Sequence, residues 1–307
     1  MITNLDAASQ LFLSDLERTQ RRVSDAQRQI SSGKKVNVAS DNPDVVTDLL
    51  RLHAAMERNS QIQSNLATAQ AAATVADNTL SASIKLLDNA LTLAAEGATA
   101  TQTADGRTSI AGNIESLQEQ LVAFSRTQSG GQYIFSGDQD SDPAYQINLD
   151  NPNGVDRLLT VPATRLVENP AGGSFVPAKT AQDIFDHRNL DDSLAPDNAF
   201  AALNTLRIAL LNNDQAGINA AIGSIKQASE RLNSCQSFYG AVENRIQDAT
   251  SFTNQYEVQL KQELSQKEDA DMVAASLELS QSSLQVQAAL QMRGSVPRTT
   301  LFDYLNR

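Results

Sequence analysis

Residues 43–97 read PDVVTDLLRLHAAMERNSQIQSNLATAQAAATVADNTLSASIKLLDNALTLAAEG, with no Pro or Gly between Pro43 and Gly97. Val45, Leu49, Leu52, Met56, Leu66, Ala73, Leu80, Ile84, Leu87, Leu91 and Ala94 fall on one ladder with steps of four and three. Asn59, Gln63, Gln70 and Asp77 interrupt it. That period belongs to a helix whose apolar seam lies against another helix. Asn42 can act as its N-cap and Pro43 as its first helical residue, where a missing amide hydrogen costs nothing. At 1.5 Å per residue the helix would be on the order of 80 Å long, too long for the inside of a compact domain.

The same period extends upstream and downstream. Phe12, Leu16, Thr19, Val23, Ala26 and Ile30 form a heptad seam that Gly33 closes. After a polar turn at 97–106, Ile110, Ile114, Leu117, Leu121 and Phe124 start a return helix, and Gly130 and Gly131 end the helical pattern. From Gln132 to about Asn198 the pattern changes. Tyr145, Ile147 and Leu149 alternate with polar residues, and Leu159, Val161 and Leu166 stand among Pro, Gly and Asn, as short strands and turns do. Helical spacing returns at Phe200 and runs through Leu203, Leu206, Leu210, Ile218, Ile225, Leu232, Val242, Ile246 and Leu260. A break at 266–271 precedes a last helix carrying Val273, Leu277, Leu284 and Leu290. Gly294 and Pro297 stop it before an apolar tail of Leu301, Phe302, Tyr304 and Leu305. The expected fold is mainly α with a β insert: a long antiparallel helical rod, built like a coiled-coil bundle from both halves of the chain, carrying a small β-rich middle domain.

Composition narrows the function. The 307 residues include no Trp, 5 Tyr and 9 Phe, which suits slender helical packing better than a thick globule. With 24 Lys and Arg against 36 Asp and Glu, the net charge is −12, unsuited to neutralising nucleic-acid phosphates. Residues 138–198 hold eleven acidic side chains against four basic ones. No apolar stretch approaches the length of a membrane span, and Met1–Gln10 lacks the basic and apolar regions of a cleaved secretion signal. One cysteine and two histidines leave little for a disulfide or a metal centre.

Individual candidates for chemistry read as structural. Asp138, Asp140 and Asp142 open like a calcium loop, but Pro143 and Leu149 stand where glycine and glutamate are needed, so a solvated acidic turn is expected. His53 lies beside a helical seam, and Cys235 reads as a small buried thiol. The six basic residues of 15–35 read as a charged face flanking a seam. Asp191 and Asp192 are adjacent and so point apart in an extended chain, unlike a catalytic pair. No catalytic residue, metal ligand or cofactor is assigned.

Two short segments carry a resemblance. Ile30-Ser31-Ser32-Gly33-Lys34-Lys35-Val36-Asn37 followed by Ser40-Asp41-Asn42-Pro43, paired with Glu268-Asp269-Ala270-Asp271-Met272 near the other end, resembles the terminal signatures of the bacterial flagellin-like proteins. Within that family, Gly131-Gln132-Tyr133-Ile134-Phe135-Ser136-Gly137 and the tail Thr300-Leu301-Phe302-Asp303-Tyr304-Leu305 are similar to the members that join hook to filament. Asn42 stands where a second aspartate is common.

The resemblance implies an exported structural subunit of the extracellular flagellum, without enzymatic activity. It would pack with copies of itself, with flagellin and with the preceding hook-associated protein. An export chaperone would bind its C-terminal region, and neither nucleic acid nor membrane is a partner. Residues 1–42 and 270–307 would form an inner-tube domain, 43–131 and 200–269 a helical rod domain, and 132–199 an outer domain. The seam offered for axial assembly comprises Phe12, Leu16, Val23, Ile30, Leu277, Leu284, Leu290, Leu301, Phe302 and Leu305. A filament subunit of the same family is the nearest alternative, and a cytoplasmic coiled-coil adaptor a remoter one.

Overall fold

A computed structural model describes residues 7–38, 40–170 and 172–295. Leu301, Phe302, Leu305 and the rest of the apolar tail lie outside the described residues. The fold is mainly α with a small β-rich insert. The helices are α1 (Ala7–Ser32), α2 (Pro43–Gly97), α3 (Ala104–Ser125), α4 (Ala181–Ile184), α5 (Ala199–Leu211), α6 (Gln215–Glu268) and α7 (Met272–Ser295). By its contacts the chain forms two compact units. A terminal unit comprises the described residues up to Arg58 and from Tyr256 onward, and a central unit spans Asn59–Gln255.

The helix boundaries follow the sequence signals. The Asn42 backbone carbonyl accepts the Val45 amide at 3.1 Å where Pro43 opens α2, and the Thr103 side chain caps α3 by accepting the Gly106 amide. The run from Phe200 is broken at Asn212–Asp214. There Asn213 takes φ of 54° and the Asp214 carboxylate accepts the Gly217 amide at 3.0 Å to start α6. Arg107, buried, ties this turn to the α2–α3 turn by donating to the carbonyls of Gly97 (2.8 Å) and Thr99 (3.1 Å) and to Asn213.

In the central unit α2 and α6 run antiparallel, as the pairings Asn59–Thr253 and Thr74–Glu243 require. One continuous apolar core joins Leu66, Leu80 and Leu87 of α2 to Ile114 and Leu121 of α3, Leu203 and Leu206 of α5, and Ile218, Ile225, Leu232 and Ile246 of α6. These are the positions expected from the four-three ladders.

The insert consists of three two-stranded antiparallel ladders: β1 (Gln128–Ser129) with β2 (Gln132–Tyr133), β3 (Tyr145–Ile147) with β4 (Val155–Arg157), and β5 (Val167–Glu168) with β6 (Ser174–Phe175). Two details differ from the sequence expectation. The α3 helix ends at Ser125, and Gly130 and Gly131, at φ of 60° and 82°, form the two-residue turn of the β1–β2 hairpin, a conformation that glycine adopts without strain. Leu149 and Leu166 lie outside any strand, and so do Leu159 and Val161. Pro162 follows them, and the Val161 and Pro162 carbonyls are turned onto Gly137 instead of onto a ladder partner.

The insert closes over Phe135, Phe185, Phe200 and Tyr145, with ring centroids 5.3–5.9 Å apart. Beneath them lies the fully buried Asp186. Its carboxylate accepts from Tyr145 Oη (3.1 Å), Asn153 Nδ2 (3.0 Å), Asn198 Nδ2 (2.7 Å) and Arg188 Nε (2.9 Å). Burial, with this carboxylate alongside, raises the pKa of the Tyr145 hydroxyl well above the usual phenol range.

Candidate assembly site

In the terminal unit, the two segments that carry the resemblance meet. Lys34 pairs with Asp269 in an isolated antiparallel bridge, in which Lys35 N donates to Glu268 O (2.7 Å) and Ala270 N to Gly33 O (2.8 Å). Lys34 and Glu268 are 234 residues apart in the chain, yet Nζ lies 2.5 Å from Oε1, and the Glu268 side chain is only 10% exposed. Lys35 Nζ donates to Gln266 O at 2.7 Å, and Lys267 Nζ pairs with Asp48. This clasp joins the α1–α2 turn to the α6–α7 turn.

Most of the signature residues of these two turns have a local duty in the clasp. Gly33 holds φ of 72°, and its amide donates to Gln29 O at 2.8 Å to finish α1. Ser31 is exposed; Ser32 Oγ donates to Arg28 O and accepts from Lys34 N. The Asp41 carboxylate accepts the amides of Asn37 (2.9 Å) and Val38 (3.0 Å), and these bonds hold its pKa below the usual carboxylate range. Asn37 Nδ2 donates to Lys34 O at 2.9 Å. Asp269 accepts from Ser265 Oγ (2.5 Å), and Asp271 caps α7 by accepting the amides of Val273 and Ala274, both at 3.0 Å. His53 Nδ1 donates to Leu49 O at 2.8 Å, and Nε2 lies 3.9 Å from Glu268.

From the clasp, α1 and α7 run antiparallel against each other. Arg22 Nε lies 2.5 Å from Glu278, whose pKa this hydrogen bond lowers, and Arg293 donates to Ser9 Oγ at 2.7 Å with its guanidinium over the Phe12 ring. On α1 the predicted seam of Phe12, Leu16, Val23 and Ile30 is half-buried and Ala26 is buried.

On α7 the covered face mixes small residues with Leu279 and Val286. Ala275 and Ser282 are buried, and Leu279, Val286 and Ala289 half-buried. Leu277, Leu284 and Leu290 are exposed at 58%, 62% and 53%. With Val273, the first two form a stripe on the face opposite the α1 contact. Leucine spacing alone pointed to these leucines, whereas the most buried positions of α7 are Ala275 and Ser282.

In the central unit, Tyr133 is half-buried in β2 and Phe135 fully buried, edge-on to Phe185 with centroids 5.8 Å apart. Gly137 has φ of 67°, and a Cβ there would come within 2.3 Å of Val161 O. The acidic groups considered for chemistry have partners. Asp138 accepts from Thr164 N and Oγ1, Asp140 pairs with Arg165, and Asp142 accepts from Gln139. Asp191 accepts from Ser193 and Asp192 pairs with Arg157 at 2.8 Å. Burial raises the pKa of the Cys235 thiol. No helix among the described residues is long and apolar enough to cross a membrane.

Known proteins share both the sequence pattern and the fold. The bacterial flagellin N-terminal helical region matches residues 3–140, and the bacterial flagellin C-terminal helical region matches 222–305. Comparison with curated proteins gives no significant match. Among solved structures, a flagellar hook-associated protein from Vibrio parahaemolyticus is 18% identical. It aligns over 75% of this chain and 100% of its own, with a TM-score of 0.63. Flagellar hook-associated protein 3 of Legionella pneumophila is 14% identical over 70% of this chain and 98% of its own, with a TM-score of 0.60. The flagellar junction protein of the same organism is 12% identical over 66% and 99%, with a TM-score of 0.54. At these identities the likeness is one of fold. The two family regions together cover most of the chain and contain both halves of the clasp, and the chain therefore belongs to the bacterial flagellin family.

Proposed function

We propose that this protein is a structural subunit of the bacterial flagellum that joins hook to filament. One observation carries the reading: the likeness to the hook-associated and junction proteins extends over essentially their whole length. In this reading residues 1–42 and 270–307 pack into an inner tube, 43–131 and 200–269 form the wall around it, and 132–199 face outward. A head-to-tail contact whose rotation does not close continues a helical array, and the uncovered stripe of Val273, Leu277 and Leu284 offers such a contact. The subunit is exported, has no enzymatic role, and meets copies of itself, flagellin and the preceding hook-associated protein. An export chaperone covers its C-terminal region, so truncation at Pro297 weakens chaperone binding.

A second reading, a minor filament subunit, is favoured by the matching regions being those of flagellin itself. Deleting the gene separates the two. A junction protein's loss leaves hooks without filaments and flagellin monomer in the medium. Normal filaments and full motility would overturn the junction reading.

A further inference from the structure

Two strict heptad series face each other along α2 and α6. On α2 it is Leu52, Asn59, Leu66, Ala73, Leu80, Leu87 and Ala94; on α6 it is Ile218, Ile225, Leu232, Tyr239, Ile246, Thr253 and Leu260. All of these side chains are buried. Asn59 is the one polar member of its series. Thr253, besides Tyr239, is the one member of the other series with a hydroxyl. The antiparallel pairing brings Asn59 and Thr253 together.

The layer they form holds weakly. Asn59 Nδ2 donates to Thr253 O at 3.1 Å, while Asn59 Oδ1 is buried with no hydrogen-bond partner. The Thr253 hydroxyl turns back on its own helix to Thr250 O at 2.8 Å and so does not cross to α2. A neutral hydrogen bond contributes little net, and a buried acceptor without a donor offsets it. The neighbouring heptads bury Leu, Ile or Ala instead. The continuous apolar core on these two helices runs from Ile62 to Ala94 and from Ile218 to Ala249, stopping just short of this layer. The central unit ends at Asn59 and Gln255.

We infer that the Asn59–Thr253 layer is a built-in break in cooperativity: residues 43–58 of α2 and 256–268 of α6 open as one unit while the apolar heptads inward of the layer stay paired. Tyr239, the other hydroxyl in the series, makes no such break, because its oxygen accepts the Lys179 amide at 3.1 Å. The terminal unit can then loosen and close without melting the central core. The inference is independent of where in the flagellum the subunit sits.

Hydrogen exchange of the full chain across a denaturant gradient, read by mass spectrometry, tests it. Peptides from 43–58 and 256–268 should open together, with exchange about tenfold or more faster than in 62–94 and 218–249. The double variant Asn59→Leu with Thr253→Val should merge the two openings into one. A single opening in the natural protein, or two unchanged openings in the variant, would overturn the inference. Should the double variant fail to fold, Leu66→Asn serves instead. It should move the step inward to about Leu66 and Ile246, and a step that stays at Asn59 and Thr253 would equally overturn it.

Discussion

Lys34 and Asp269 face each other across an antiparallel bridge that brings together the two ends of the chain's signature. The backbone bonds beside it, Lys35 to Glu268 and Ala270 to Gly33, leave neither turn free to move without breaking the other. The signature residues are therefore those a tight double turn requires: one glycine at positive φ, aspartates that accept backbone amides, and a proline to open a helix.

Acid should loosen this clasp. The Asp41 carboxylate is held below its ordinary pKa by the Asn37 and Val38 amides, and Asp48 likewise by Lys267. A carboxylate whose pKa is depressed on folding contributes stability that is full above its unfolded pKa and is lost as pH falls through the folded value. Amide exchange at Asn37 and Val38 should therefore accelerate below about pH 4, relative to amides of the central core. Asp41→Ala should show the fast exchange already at neutral pH, and an unchanged rate there would refute the capping role.

Two glycines at similar positive φ should differ in how much they tolerate alanine. Gly33 has open space where a Cβ would go, so Gly33→Ala incurs only left-handed strain, roughly 1–2 kcal/mol. At Gly137 the same methyl would also meet Val161 O at 2.3 Å. Gly137→Ala should then destabilise by roughly 3 kcal/mol or more, adding overpacking to strain. Urea unfolding of both variants gives the comparison, and equal midpoints would refute the close approach.

The helices were legible because the apolar ladders of α2, α3 and α6 run for many turns, with Pro43 opening α2 and Gly33 closing α1 where the sequence signals them. The clasp was visible only as two motifs; that Lys34 reaches Glu268 depends on how four helices pack, which no local pattern encodes. Leucine spacing drew attention to Leu277, Leu284 and Leu290, whereas the most buried positions of α7 are Ala275 and Ser282. Small residues give a weak periodic signal, yet they permit close approach of two helices. Asp186 carried no signal either. Its four donors come from Tyr145, Asn153, Arg188 and Asn198, in segments the sequence shows only as turns and short strands.

That buried carboxylate should be the point on which the insert most depends. Asp186→Ala would leave the buried Tyr145 hydroxyl and Asn153 amide without an acceptor, while Arg188 keeps Asp192 and Asn198 keeps His187 O, a loss of roughly 3 kcal/mol. Asp186→Asn keeps the shape and part of the bonding and should fall between it and the natural protein. Near-ultraviolet circular dichroism of the tyrosines during denaturation reads the effect. An Asp186→Ala protein as stable as the natural one would show the network to be dispensable.

The two faces of α7 should separate folding from assembly. Leu284 touches solvent, so Leu284→Ser should leave the subunit's stability within about 0.5 kcal/mol. Ser282 is fully buried on the α1 side, so Ser282→Leu should overpack that contact and destabilise the terminal unit by roughly 1–3 kcal/mol. If the exposed stripe is an assembly surface, Leu284→Ser should fold and be secreted normally yet leave few filaments on the hooks in electron micrographs. Full filament numbers with Leu284→Ser would remove the stripe from the assembly contact. Stability unchanged by Ser282→Leu would show that α1 and α7 do not pair in the free subunit.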